Sequence, residues 1–380
     1  MLFNSRRVQR RAVLAATLCA AAIGALPATA QADNSALPKV MTRNLYLGAD
    51  LAPALNALGC SPAPFCTFDA NQTIWNHVVA TNFPARAKVL AKEIDNDDPY
   101  VVALQEVALW RSGPFNQVKD AATVQYDFLR SLLNELAARH THYRAAVVQE
   151  EADIESPAGS VSLGYADLTD RRLTMRDLIL VRTDLPQSIV SFTNGQSANY
   201  APSHVISVPT GSTYGDIVFK RGWASIDVKL LGKPALRFVD THLESAASGY
   251  RQLQAAELVG AYGTGPLLTP IPAIIAGDLK SDPAIPYDNN PASAADDGAA
   301  FGIIASAGFV DSGNTVNTFG HNADLLDFPS NAFTERIDHV MTRPGAVGLL
   351  TNKVVGTDPA NRTPGGLWPS DHGGLIVGIG

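Results

Sequence analysis

The segment PIPAIIAGDLKSDP, residues 270–283, places charged residues directly after an apolar run. The run ends at Gly277, Asp278 follows it, and Lys280 comes two positions later. A short apolar run bounded by proline and polar residues is typical of a buried β-strand. A buried carboxylate is costly unless it is paired or bound to a metal ion. The segment therefore predicts a core strand that carries Asp278 to a paired or metal-binding position.

Other strand-like runs also deliver polar residues. These are Glu106 in YVVALQEV, His242 in ALRFVDTHLE, Asp338 in ERIDHV, Asn44 in VMTRNLYLG, and Asp371 with His372 in WPSDHGG. In an α/β sheet, side chains at strand ends converge on one site. Each residue alone has an ordinary structural explanation, such as a turn cap, a surface ion pair or a hydrogen-bonded core histidine. Their recurrence at comparable positions favours a common site.

Apolar strand-like runs alternate with helical patterns along the chain. The segments 82–95 and 124–140 have apolar residues at helical spacing. This alternation predicts an α/β protein whose sheets are covered by helices. The segment 223–244 predicts a hairpin that turns at LGKP, so part of the sheet is antiparallel. Polar composition predicts loops at 150–172, 191–216 and 282–300.

The first 30 residues have the pattern of a secretory signal peptide. Four arginines precede the short apolar run AVLAATLCAAAIGAL, and PATAQA supplies small residues at the spacing of a cleavage site. The apolar run is too short for a comfortable membrane span, and no later segment is long and apolar enough, so we do not expect a transmembrane protein. We expect residues 1–30 to be removed, residues 31–37 to form a flexible tail, and residues 38–380 to form one secreted, extracellular domain.

The charge balance argues against binding of polyanions through overall charge. Removal of the predicted signal peptide leaves 25 basic and 36 acidic residues, a net charge of −11. Such a surface does not attract nucleic acid or other polyanions at long range. An anionic substrate must therefore be held locally, by a metal ion or by a few placed basic residues.

Two cysteines remain after the predicted cleavage, Cys60 and Cys66 in GCSPAPFC. An even pair in an exported protein favours a disulfide that closes a small loop. The alternative is two unrelated thiols.

The candidate residues fit metal-assisted hydrolysis of phosphate esters. The side-chain oxygens of Asn44, Glu106 and Asp371 suit Mg²⁺ or another hard divalent cation. The sequence has no His/Cys cluster of the zinc type and lacks the G-x-S-x-G, P-loop and G-x-G-x-x-G motifs. In this chemistry the metal ion offsets charge on the phosphoryl oxygens, and a histidine–aspartate pair takes a proton from water.

Six short motifs, TRNL, LQEV, THLE, GDLK, RIDHV and SDHGG, occur in the order found in the endonuclease/exonuclease/phosphatase superfamily. The chain resembles that superfamily from about residue 40 to residue 379. The group includes DNase I-like nucleases, exonuclease III-like repair enzymes and neutral sphingomyelinases. The resemblance implies a four-layer α/β sandwich, in which two packed mixed β-sheets are flanked by helices.

The resemblance also implies a metal site. By matching motif positions, Asn44 and Glu106 would hold the cation, which we expect to be Mg²⁺ or Mn²⁺, and Asp371 would lie near it.

The remaining matched positions carry implied catalytic roles. His372 would be the general base, oriented by Asp338. His242 would donate a hydrogen bond to a non-bridging phosphate oxygen. Asp278 would position or polarise the attacking water, or assist the leaving group.

Lys280 departs from the family pattern, which has Asp-x-Asn where this chain has Asp278-Leu279-Lys280. An asparagine amide offers a donor and an acceptor, whereas lysine offers only donors and adds a positive charge. Three interpretations follow. Lys280 clamps the phosphate, or it repels the cation and impairs catalysis, or it turns away to solvent.

These observations predict a secreted, metal-dependent phosphoesterase that hydrolyses a phosphodiester or a phosphomonoester. The substrate is nucleic acid, a phospholipid or a small phosphodiester, and no stable protein partner is predicted. One alternative is a sphingomyelinase-like phospholipid phosphodiesterase. Another is an exported binding protein that has lost turnover because of Lys280.

Overall fold

The computed structural model describes residues 37–58, 65–210, 212–327, 333–343 and 347–380. Within these ranges, no helix combines the length and the apolar character needed to cross a membrane. The predicted signal peptide, residues 31–36 of the predicted tail, and Cys60 lie outside the described residues. Cys66 is disulfide-bonded, but its predicted pairing with Cys60 stays a prediction because Cys60 is not described.

The described residues form two large β-sheets, a small hairpin and several helices. The strands are β1 (Lys39–Asn44), β2 (Val101–Gln105), β3 (Leu109–Pro114), β4 (Thr123–Asp127), β5 (Tyr143–Ala158), β6 (Thr169–Arg182), β7 (Val190–Asn199), β8 (Ile206–Val208), β9 (Ile217–Phe219), β10 (Gly222–Leu230), β11 (Leu236–His242), β12 (Ala273–Asp278), β13 (Val310–Asp311), β14 (Asp338–Thr342), β15 (Leu349–Val355) and β16 (Gly374–Ile379). The α-helices are α1 (Ala52–Asn56), α2 (Phe65–Ala80), α3 (Phe83–Asp97), α4 (Phe128–Ala138), α5 (Ser248–Leu258) and α6 (Ala299–Ser306).

Both large sheets are mixed. The first has the order β15-β16-β1-β2-β6-β3-β4, and β5 also pairs with β6. The second has the order β13-β14-β12-β11-β10-β7, while β8 and β9 form the separate hairpin. Near the middle of each sheet lies one parallel pair, β1 with β2 in the first and β11 with β12 in the second.

The two sheets pack face to face, and helices cover their outer faces. Strand β1 shows how the sequence achieves this, because Val40 packs between the sheets while its neighbour Met41 packs under the helices. Alternate strand residues point to opposite faces, so a strand buried on both sides needs apolar residues at successive positions. The expected four-layer α/β sandwich is confirmed.

Different residues form each of the three apolar layers of the sandwich. The layer between the sheets includes Ala103, Ile179, Ile226, Phe238 and Ile274. The layer between the first sheet and helices α2–α4 includes Trp75, Phe83, Leu90, Leu104 and Phe128. The layer between the second sheet and helices α5 and α6 includes Val239, Ala255, Leu258, Ile275 and Ile304.

The segment 270–283 contributes β12, and a glycine in it permits a close strand approach. A Cβ atom at Gly277 would lie 2.1 Å from the carbonyl oxygen of Thr241 on β11. Only glycine avoids this overlap. Gly277 therefore allows β12 to run beside β11 so that Asp278 comes into register with His242.

Two of the three predicted loops are wrong in part. Residues 150–158 and 169–172 belong to β5 and β6, and residues 191–199 belong to β7. Charged side chains pair across the β5–β6 ladder, where Arg172 Nη2 lies 2.6 Å from Asp153 Oδ2. Opposite charges on neighbouring strands stabilise a sheet. The amino-acid composition of these strands is therefore as polar as that of a loop.

Candidate active site

The two parallel strand pairs bring the candidate residues to one end of the sandwich. In the first sheet, Asn44 ends β1 and Glu106 directly follows its partner β2. In the second sheet, His242 on β11 is in register with Asp278 on β12, which in turn pairs with Asp338 on β14. The packing of the sheets then places these strand ends side by side.

The Asn44 side chain joins the two sheets. Its Nδ2 donates to Glu106 Oε1 at 3.1 Å and to Asp278 Oδ2 at 3.0 Å. Its Oδ1 accepts from the backbone N–H of Tyr46 at 2.8 Å. In this orientation the amide presents hydrogens to the two carboxylates. The second lone pair of Oδ1 would remain available to a metal ion.

Glu106 is held in a strained backbone conformation, with φ of +55°. Such a conformation costs energy and persists only where the surroundings fix it. Here Leu47 N donates to Glu106 Oε2 at 2.8 Å, and Glu106 N donates to Asp177 Oδ1 at 3.1 Å. Asp177 is fully buried, and burial raises the pKa of its carboxyl to about 7. Asp177 is thus a positioning residue for Glu106.

His372 and Asp338 form a buried pair. His372 Nδ1 lies 2.9 Å from Asp338 Oδ2, and His372 Nε2 lies 3.6 Å from Asp278 Oδ2. Because a carboxylate accepts, the Nδ1 atom carries the shared hydrogen. Burial disfavours the charged imidazolium, but the Asp338 carboxylate outweighs it and raises the pKa of His372 to about 9.

The backbone of His372 is also fixed. Arg43 Nη1 donates to its carbonyl oxygen. The Arg43 guanidinium is anchored in turn by Glu93, whose Oε2 accepts from Arg43 Nε at 3.1 Å. The imidazole is therefore oriented at both its ring and its main chain.

His242 faces Asp278 from β11. Its Nδ1 lies 3.1 Å from Arg221 Nη1, and its Nε2 lies 3.5 Å from Asp278 Oδ2. A guanidinium can only donate, so Nδ1 accepts and Nε2 carries the hydrogen. Burial, together with the charge of Arg221, lowers the pKa of His242 well below its usual value. His242 is therefore a neutral imidazole whose Nε2–H points into the site.

Lys280 turns into the site. Its side chain is only 9% exposed, its Nζ lies 3.3 Å from Asp278 Oδ2, and the same atom lies 4.5 Å from the ring centre of Phe319. The interpretation in which Lys280 points to solvent is therefore wrong. Burial opposes the ammonium form, but the Asp278 carboxylate outweighs it and raises the pKa of Lys280.

The same ion pair keeps Asp278 ionised. Burial alone would raise the pKa of this carboxyl, but the charge of Lys280, with His242 and His372, holds it well below its usual range. An ionised Asp278 can orient a water molecule or a cation but cannot donate a proton.

The carboxylates of Glu106 and Asp371 fit a divalent cation. Both line the groove beside the cluster. Burial raises the pKa of Asp371 to about 6, and the neighbouring charge of Glu106 adds to the rise. A bound cation would favour the ionised form of Asp371 and bind to its carboxylate and that of Glu106. The donor atoms of Asp278, Asp338 and His372 form a second group, all within 4.8 Å of one another.

The predicted site residues come together as one network. Contacts of 3.9 Å or less connect Asn44, Glu106, His242, Asp278, Lys280, Asp338, Asp371 and His372. Cys66 lies on α2 and is not part of this network. The geometry is consistent with the implied roles, which stay predictions.

Two residues that position the site were not predicted to do so: the sequence did not reveal Arg221, and it marked Asp177 only as a possible part of the site wall. Arg221 lies in KRGW, just before β10, and no motif marks it. Asp177 lies inside the predicted strand RDLILVR. Asp177 could have been predicted from the sequence, because a carboxylate at the edge of an apolar strand is the same feature that identified Asp278.

The chain is similar to several known proteins. The family model for the endonuclease/exonuclease/phosphatase family matches residues 56–372. A comparison with curated protein sequences gives no match.

Several solved structures are similar to this chain at low sequence identity. An endonuclease/exonuclease/phosphatase from Beutenbergia cavernae is 17% identical, with a TM-score of 0.53 over 90% of this chain and 71% of that one. A family protein from Leptotrichia buccalis is 14% identical, with a TM-score of 0.49 over 90% of this chain and 99% of that one. A mannosyl-6-phosphatase from Bacteroides thetaiotaomicron is 16% identical, with a TM-score of 0.46 over 90% and 99%. The family-model match, which spans most of the sequence, carries the assignment: the chain belongs to the endonuclease/exonuclease/phosphatase family.

Proposed function

We propose that this protein is a secreted hydrolase of phosphate esters that uses Mg²⁺ or Mn²⁺ and a water molecule activated by His372. The observation that carries the proposal is the buried His372–Asp338 pair, whose free Nε2 faces Asp278 at 3.6 Å. Secretion rests on the signal-peptide pattern of residues 1–30.

His372 acts as the general base in this proposal. Its Nδ1 is occupied by Asp338, so Nε2 is the atom that takes a proton from water. The water oxygen forms the new bond to phosphorus, the ester P–O bond breaks, and the alcohol leaves after it takes a proton from solvent. A pKa of about 9 keeps His372 protonated at neutral pH. Positive charge bound near Asp371 and Asp278 is expected to lower that pKa and free the base.

His242 and Lys280 bind the phosphoryl oxygens. His242 offers a neutral Nε2–H donor, and Lys280 offers an ammonium group. Hydrogen-bond donors that are already oriented stabilise charge that develops in the transition state. Asp278 lies between the two donors and orients the attacking water.

Glu106 and Asp371 hold the divalent cation, with the Asn44 amide beside them. Such a cation supplies charge neutralisation at the phosphoryl oxygens and the ester oxygen. Asp177 and Leu47 N keep the Glu106 carboxylate in place.

The proposed substrate is a small phosphate ester, either a monoester or a diester, rather than a nucleic acid. The net charge of −11 after removal of residues 1–30 does not favour long polyanions. A single phosphate group can instead be held by the few cations inside the site.

A substrate panel tests the proposal. Purified protein with Mg²⁺ or Mn²⁺ is assayed on bis(p-nitrophenyl) phosphate, plasmid DNA, RNA, sphingomyelin and phosphomonoesters. We expect hydrolysis of at least one ester, lost in His372→Ala and kept in the exposed control His142→Ala. No activity above His372→Ala on any substrate would refute it. Activity that appears only in Lys280→Asn would support the alternative of an impaired binding protein.

A further inference from the structure

A groove leads away from the candidate metal residues. It has a volume of about 310 Å³ and is lined at one part by Glu106 and Asp371. Its wall also includes the charged residues Asp50, Arg221 and Glu244, and an apolar part that includes Leu51, Leu55 and Phe219. The groove therefore connects charged residues of the site with an apolar surface.

A second cavity adjoins the apolar part of this groove. Its volume is about 60 Å³, and Leu51, Leu55 and Phe219 line both cavities. We call it the Trp75–Trp110 pocket. The rest of its apolar wall consists of Ala54, Ile74, Trp75, Trp110, Ile154, Leu173 and Ile217.

Three polar side chains of this wall, Asn71, Ser156 and Trp110, already have hydrogen-bond partners, while Arg171 Nε is buried without one. Trp110 Nε1 donates to the carbonyl oxygen of Leu47 at 2.9 Å. Asn71 Nδ2 donates to Ser156 Oγ at 2.6 Å and to the carbonyl oxygen of Pro157 at 2.8 Å. A nucleobase placed here would lose hydrogen bonds to water without replacing them, which is costly. A hydrocarbon would gain from burial.

One charged side chain belongs to the wall. The guanidinium of Arg171 lies 4.1 Å from the ring centre of Trp75 and packs on its face. Arginine in this arrangement covers apolar surface with its stem and with the face of its guanidinium. The interior of the pocket therefore remains apolar, and its small volume suits a short unbranched chain.

We propose that the Trp75–Trp110 pocket binds the alcohol portion of the substrate, a short unbranched hydrocarbon chain esterified to phosphate. This inference rests on the proposed function, because the phosphate of such an ester would lie at the Glu106–Asp371 part of the groove. The chain would then pass Leu51 and Phe219 to reach the pocket. The site thus selects soluble alkyl phosphate esters over nucleotides.

Calorimetric binding of ethyl, butyl and hexyl phosphate in Mg²⁺ tests this proposal. The titrations use His372→Asn, so that turnover does not disturb the measurement. We expect the affinity to rise about fourfold for each methylene group that enters the pocket. We also expect a negative heat-capacity change that grows with chain length.

Two variants, Ala54→Phe and Ile154→Ala, test whether the gain in affinity with chain length arises in this pocket. Ala54→Phe fills it and is expected to make ethyl and hexyl phosphate bind equally well. Asn56→Phe, at an exposed position of the same helix, is the matched control and should keep the dependence on chain length. Ile154→Ala enlarges the pocket and should extend the gain to octyl phosphate, so the test does not depend on one variant folding.

Each other outcome overturns the inference. Equal affinities for ethyl and hexyl phosphate would refute the pocket and leave the proposed function intact, because the phosphate still binds. If affinity still rises with chain length in Ala54→Phe as it does in the parent protein, the alkyl chain binds at another surface. Absence of alkyl phosphate binding would also refute the inference. Hydrolysis of bis(p-nitrophenyl) phosphate by the wild type then shows separately whether the proposed function survives.

Discussion

Lys280 Nζ lies 3.3 Å from Asp278 Oδ2, and both side chains are buried. The backbone at Lys280 has φ of +47°, a conformation that asparagine adopts more readily than lysine. The chain thus keeps the local geometry that suits the asparagine of the family pattern, while it places an ammonium group in the site. Its position between Asp278 and the Phe319 ring favours a role as a phosphate-binding cation.

Replacement of Lys280 separates the two remaining interpretations. Lys280→Met removes the charge while it keeps much of the length, and we expect kcat/KM for bis(p-nitrophenyl) phosphate to fall at least about tenfold, which is about 1.4 kcal/mol or more. Lys280→Asn restores a donor that fits the backbone, so it should retain more activity than Lys280→Met. Steady-state kinetics on both variants checks this. A Lys280→Asn enzyme much faster than the wild type would instead identify Lys280 as an impairing substitution.

Arg221 sets the tautomer of His242 in this account. Nitrogen-15 NMR of the imidazole at pH 7 should show a neutral ring with hydrogen on Nε2, because Arg221 can only donate to Nδ1. Arg221→Met should abolish this preference and lower kcat. A His242 ring protonated on both nitrogens at pH 7, or on Nδ1 alone, would contradict the proposed donor role.

The His372–Asp338 pair should make the metal-free protein less stable as pH rises. The folded state keeps the His372 proton up to a pKa of about 9, whereas the unfolded chain loses it near the ordinary value of 6.5. Stability from this pair is therefore fully present below about pH 6.5 and is lost as the pH approaches 9. The expected loss is at most about 3 kcal/mol.

Urea unfolding at pH 6, 7.5 and 9 measures this dependence. His372→Asn should show a flatter profile, while the exposed control His142→Asn should follow the wild type. Equal slopes in the wild type and His372→Asn would rule out the raised pKa.

Gly277 should be intolerant of even one methyl group. In Gly277→Ala the new Cβ would meet the Thr241 carbonyl oxygen at 2.1 Å, so β11 and β12 must separate. Overpacking of this kind costs about 1–3 kcal/mol. Chemical denaturation checks it against Gly302→Ala on α6, where nothing lies within 4 Å of the added carbon. The control should be neutral or more stable by up to about 1 kcal/mol. A Gly277→Ala protein as stable as the wild type would show that β11 and β12 can separate at little cost in free energy.

Motifs at strand ends predicted most of the site. A carboxylate in apolar surroundings, such as Asp278, is costly unless it is paired or bound to a metal ion, so its presence there indicates a site. Arg221 and Phe219 could not be found in this way. Their importance comes from contacts with His242 and with Leu51 that are far away in the sequence. The strands within 150–172 were missed because cross-strand ion pairs stabilise them in place of apolar alternation, and those within 191–216 were missed because their composition is largely polar. The direction of Lys280 likewise depends on Phe319, which the sequence does not link to it.

The central claim is that His372 activates water for metal-dependent hydrolysis of a phosphate ester. The most direct test is the initial rate of bis(p-nitrophenyl) phosphate hydrolysis in Mg²⁺ for the wild type and His372→Ala, with and without a chelator. We expect a wild-type rate that the chelator abolishes and added Mg²⁺ restores, and a His372→Ala rate at least about 100-fold lower. A His372→Ala protein as fast as the wild type, or a rate that the chelator does not change, would contradict it.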